Sequence, residues 1–65
     1  MNQTLVRTTI KDKECQWCEC FKFDGILLKD EAEEKVLHIV EVFNSSLRAS
    51  DLPRELVSID SLEII

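Results

Sequence analysis

The chain has 65 residues, 45% hydrophobic and 32% charged, with one Gly, one Pro and a formal net charge of −5. That composition excludes a disordered or low-complexity chain and describes one small domain, residues 1–65, which buries only about 60% of the surface its unfolded form exposes and therefore gains from a partner or self-association. No apolar run approaches the roughly 20 residues of a membrane span, and the bases are scattered rather than clustered, so neither a membrane nor nucleic acid is an expected partner.

The start, MNQTLVRTTI, has neither the charged n-region nor the long apolar h-region of a signal peptide. Three cysteines cannot form a complete disulfide framework, and reduced thiols fit a cytoplasmic address. The acidity is uneven. Residues 1–29 hold five bases and four acids, whereas residues 30–65 hold three bases and nine acids.

Residues 3–10, QTLVRTTI, are rich in β-branched side chains and alternate, with Thr4, Val6, Thr8 and Ile10 on one face. This predicts a strand. After a polar turn over KDKE, residues 11–14, the period of two resumes from Cys15 to Phe23, placing Trp17, Glu19, Phe21 and Phe23 opposite Cys18, Cys20 and Lys22. A helix covering the Trp17 face makes those aromatics core and turns Cys18, Cys20 and Lys22 outward. Asp24-Gly25 between FKF and ILL is a hairpin signal, since both residues tolerate the positive φ of a type I′ turn, and it predicts a short third strand over 26–29.

A helix follows, with Asp30 as N-cap, Glu33 closing a capping box, and Glu31, Glu33 and Glu34 in the first turn where the helix dipole favours acids. At about 100° per residue, Ala32, Val36, Ile39, Val40, Phe43 and Leu47 form one apolar seam. The helix should end near 48–50, before Asp51 and Pro53, with Asp51 capping a single turn through Glu55. In the tail, Val57, Ile59, Ser61, Glu63 and Ile65 alternate with Leu56, Ser58, Asp60, Leu62 and Ile64, predicting a final strand. Leu52, Leu56 and Ile59 also fit helical spacing. The fold expected is α+β, in the order β-β-β-α-β, a small antiparallel sheet with one amphipathic helix packed on a face.

The inventory Cys15, Cys18, Cys20 and His38 suits a tetrahedral zinc ion, the alternative to a protein with no cofactor. A strand from Cys15 to Phe23 sends Cys15 and the other two thiols to opposite faces, and His38 falls about 160° from the apolar seam among Glu31, Glu34 and Glu41, so half-buried structural thiols and a solvated histidine are the simpler reading. A thioredoxin-like role for Cys15-Gln16-Trp17-Cys18 needs a helix N-terminus that the surroundings do not predict. There is no nucleophile elbow or glycine-rich loop, and no enzyme is expected.

What remains is an acidic helix face, Glu31, Glu34 and Glu41, flanked by Leu37 and Val42 about 100° to either side of the seam. With Trp17 these residues are the expected partner-binding set, for a non-enzymatic protein that inhibits or regulates a larger partner with a basic surface. A free-standing acidic chain of this size suits a phage or mobile-element inhibitor of a host defence enzyme. The widened apolar stripe and the edge offered by the tail also predict a homo-oligomer, a dimer. An exposed Trp17 platform that sequesters a nucleotide-like ligand is the third reading.

Overall fold

The computed structural model describes residues 2–65. Two strands, β1 (Gln3–Lys11) and β2 (Gln16–Asp24), are followed by the helix α1 (Lys29–Ser45) and a third strand, β3 (Glu55–Ile64). The sheet order is β2-β1-β3, and β1 is antiparallel to both neighbours. The chain is therefore α+β in the order β-β-α-β: a hairpin, then a helix that carries the chain past β1 to its far side. β2 and β3 run the same way with β1 between them, a split βαβ arrangement.

Alternation in β1 sets the layers. Val6 and Ile10 are fully buried with Ala32 and Val36, and Val40 is 8% exposed. Each Val or Ile so buried contributes roughly 1.5–3 kcal/mol, which makes a thin core. Half-buried Trp17, Phe21, Phe23, Leu27, Leu56, Ile59 and Leu62 pack around it. The helix thus covers the Trp17 face, and Cys18, Cys20 and Lys22 lie on the opposite, open face. Two threonines share the core without leaving an unsatisfied hydroxyl: Thr8 Oγ1 donates to Glu19 O at 2.8 Å and Thr4 Oγ1 to Gly25 O at 2.8 Å. The β1–β2 turn is held by Asp12, whose Oδ1 accepts from the Glu14 and Cys15 amides, both at 2.7 Å.

The expected strand over 26–29 does not form. A type I′ turn needs positive φ at two residues, but only Gly25 is positive, at 87°, and Asp24 stays in β2. Thr4 Oγ1 also accepts from the Leu27 amide at 3.0 Å, which steers residues 25–27 across the sheet end toward the helix. The helix consequently starts at Lys29, with Leu28 rather than Asp30 as N-cap. Glu31, not Glu33, reaches back to the Leu28 amide at 3.1 Å. A leucine side chain has no oxygen to return that bond, so only half of a capping box exists.

The helix also ends early, at Ser45. Ser45 and Ser46 hydroxyls donate back to Val42 O at 2.8 and 3.2 Å, the Ser46 amide tightens to Phe43 O, and the Asn44 side chain is taken up by Arg54. Such local bonds compete with the helical ladder. Asp51 does not cap forward: its Oδ2 accepts from the Arg48 amide at 3.0 Å, and residues 51–54 are irregular.

The tail is a strand, but with neither expected alternation. The register passes from Arg7–Ser61 to Thr8–Ile59, and from Thr9–Ser58 to Ile10–Leu56, leaving Asp60 and Val57 as bulged residues. Two bulges convert the spacing of Leu56, Ile59 and Leu62 into one core-facing row, all three being half-buried against Ile10, Thr8 and Val6. The Leu56 to Ile59 step of that row is what, together with Leu52, resembled a helix in the sequence.

Candidate functional site

The helix buries little of itself. Of its 17 residues only Ala32, Val36 and Val40 are buried, one every turn. One helix cannot span three strands. α1 packs closer to β3, and the β2 aromatics stay half-exposed along its other side. Lys35 Nζ lies 6.0 Å over the Phe23 ring, which fixes the Lys35, Ile39 and Val42 flank toward β2. Leu37, on the other flank, borders a shallow depression with Leu56 and Val57 of β3.

Leu37, Ile39 and Val42 are 46%, 38% and 50% exposed. Glu31, Glu34, Glu41 and His38 point away from the sheet, and Ile39, expected in the seam, instead sits at its margin. Among the described residues two ion pairs occur, Arg7–Glu63 and Lys11–Glu55, each at 3.6 Å and both on the sheet. The helix acids therefore carry no neutralising partner. Glu31 alone among them has an internal role, its bond to the Leu28 amide.

Trp17 stands apart from this face. It is half-buried beneath a cation that sequence reasoning missed: the Arg54 guanidinium lies 3.9 Å from the Phe43 ring centroid and 5.2 Å from that of Trp17. Arg54 reaches across the end of β1 to do so, because Asn44 grips its backbone twice. Asn44 Nδ2 donates to Arg54 O at 2.9 Å and Arg54 N to Asn44 Oδ1 at 2.8 Å. The only signal in the sequence was a cation placed by Pro53 at the entry to a strand. The Trp17 face turned toward Arg54 carries that guanidinium, so the ring is not a bare platform.

The thiols do not gather. Cys15 lies in the hairpin turn, Cys18 and Cys20 project from the open sheet face, all three are exposed, and His38 is on the helix across the sheet. Among the described residues no three His, Cys, Asp or Glu side chains stand where they could share a metal ion. The open face carries a polar network instead: Arg7 donates weakly to Cys20 Sγ at 3.9 Å, and Asp60 accepts from Thr9 Oγ1 at 2.7 Å and Ser58 Oγ at 2.6 Å. The Ser58 and Thr9 hydroxyls hold the Asp60 carboxyl below its usual range.

Among the described residues no helix is long and apolar enough to cross a membrane. No family model, curated protein or solved structure matches the chain.

Proposed function

We propose that this is a non-enzymatic binding protein that inhibits or regulates a larger protein through the outer face of α1. One observation carries the reading: Leu37, Ile39 and Val42 stay 38–50% exposed on a helix whose carboxylates enter neither of the two ion pairs found among the described residues. An acidic strip with Leu37 along one side and Ile39 and Val42 along the other fits a partner with a basic strip between apolar margins, where the charges set encounter rate and the apolar contacts set residence. Three exposed free thiols support a reducing, cytoplasmic address.

The test is affinity capture from the source cell's lysate with the native chain and with a Glu34→Lys, Glu41→Lys variant, which leaves the Glu31 cap intact. A specific partner should be retained by the native chain, with an association rate that falls at least tenfold on charge reversal and that declines with added salt. Equal capture by both proteins sinks the proposal, as does the absence of any specific partner.

A further inference from the structure

The missing strand over 26–29 leaves the outer edge of β2 bare, and three observations say what meets it. The first is the edge itself. Gln3 and Ile65 exchange amide bonds at 2.8 Å in both directions, so the Gln3 backbone groups face β3. Alternation then turns those of Thr4, Val6, Thr8 and Ile10 toward β2, where their register partners are Phe23, Phe21, Glu19 and Trp17. The N–H and C=O groups of Gln16, Cys18, Cys20 and Lys22 consequently point outward. The other edge strand, β3, carries two bulges, a common protection against edge pairing, whereas β2 pairs over nine residues without a bulge and contains no Pro.

The second is surface. A compact monomer of 7.5 kDa exposes about 4,250 Å² and a 65-residue chain has a radius of gyration of about 10.7 Å. This protomer exposes 4784 Å² with a radius of 12.5 Å. The excess, about 500 Å², approaches the roughly 800 Å² that each partner contributes to a stable interface.

The third is self-complementarity. Antiparallel pairing of β2 with itself about Cys20 sets Trp17 against Phe23 of the second copy twice over, Glu19 against Phe21, Cys18 beside Lys22, and Gln16 beside Asp24, with no like charges opposed. Moving the centre to Glu19 opposes two carboxylates.

We propose that two copies of this chain join through their β2 edges, antiparallel about Cys20, into a continuous six-stranded sheet. Both helices then lie on one side, and because each packs closer to its own β3, the Trp17, Phe21 and Phe23 rows of the two copies meet between them as an aromatic floor that also holds Glu19 of each copy, whose carboxylate accepts from its own Trp17 Nε1 at 3.4 Å. The bare edge, the surplus surface and the half-exposed aromatics are removed together. This inference is independent of the proposed use of the outer helix face.

Sedimentation equilibrium from 1 to 200 μM, with native mass spectrometry, tests it on the full chain. A mass twice 7.5 kDa is expected. In a Cys18→Lys, Cys20→Lys variant, substituted only at exposed positions, lysines oppose each other at the axis and face Lys22, and the dissociation constant should rise at least tenfold with the circular dichroism spectrum unchanged. Cross-linking fixes the register. In a Cys15→Ser, Cys18→Ser variant, two Cys20 thiols about 5.5 Å apart at Cα are within disulfide reach. They lose two protons and two electrons to added diamide, whose N=N bond is reduced to the hydrazine as the S–S bond forms. That variant should cross-link at least tenfold faster than a Cys18→Ser, Cys20→Ser variant retaining Cys15. A monomer throughout the range, a dimer indifferent to the lysines, or equal cross-linking by the two single-thiol variants overturns the proposal.

Discussion

The Thr4 hydroxyl accepts a 3.0 Å hydrogen bond from the Leu27 amide while donating one of 2.8 Å to the Gly25 carbonyl, so a single fully buried side chain on the central strand decides where the chain leaves β2. Replacing Thr4 by Val keeps the volume but strands both backbone groups, at a cost of about 1–3 kcal/mol. For a domain of this size that lowers Tm by roughly 7–22 °C. Thr4→Ser retains the hydroxyl and should recover most of the loss. Thermal melts decide it, and equal Tm values for the Val and native proteins would show that the clamp contributes nothing.

Gly25 supplies the conformation that this exit requires. Its φ is 87°, and a Cβ built there meets nothing within 4 Å, so Gly25→Ala introduces no clash. Only the backbone term remains: about 1–2 kcal/mol for an L-residue in the left-handed region, offset by the roughly 0.4–1 kcal/mol that Ala gains from a less flexible unfolded chain. A net loss near 1 kcal/mol is expected in denaturant titrations, with Gly25→Asn between the two. Gly25→Ala as stable as the native chain would mean that residue 25 relaxes to negative φ without consequence.

These two residues also explain where the sequence was readable. Strand β1, the Trp17 face of β2 and the Ala32, Val36, Val40 seam follow from local periodicity, and all appear with the orientation expected. Asp24-Gly25 misled because hairpin chemistry is local, whereas the competing bond comes from Thr4, 21 residues earlier. In β3 strict alternation put Ile59 opposite Leu56 and Leu62, because the bulges at Val57 and Asp60 that bring the three into one row are set by pairing with β1 and have no signature in the strand alone. Of the candidate site, Leu37 and Val42 were legible as residues outside the seam. Arg54 was not, since its position depends on Asn44 ten residues away.

The Asn44–Arg54 clamp and the stacked guanidinium are separable. Asn44→Ala removes both partners of the half-buried Arg54 backbone and should cost about 1–3 kcal/mol. Arg54→Lys leaves the clamp and the charge but loses the planar stack, a term of about 0.5–1 kcal/mol at an accessible site. Trp17 is the only tryptophan, so its emission reports the guanidinium above it. Arg54→Lys should alter Trp17 fluorescence with a Tm loss of roughly 4–7 °C, and Asn44→Ala should alter the emission with a loss of roughly 7–22 °C. Unchanged emission in the two variants would place Arg54 away from the ring.

Acid should loosen β3 at its second bulge. Hydrogen bonds from Ser58 and Thr9 hold the Asp60 carboxyl below the usual 3.8, so the ionised form is favoured more in the folded chain than in the unfolded one. A depressed folded value means that the stabilisation is complete above the unfolded pKa and disappears as pH falls through the folded one. Carboxyl ¹³C titration should therefore give Asp60 a midpoint below 3.8. Ser58→Ala should raise that midpoint most and Thr9→Val next, following the order in which the two hydroxyls act, and the loss of amide protection around the Thr9–Ser58 pair that acid causes in the native chain should be smaller in both variants. An Asp60 midpoint that is the same in all three proteins would show that the carboxylate is not held by these hydroxyls and that the bulge is secured by the backbone alone.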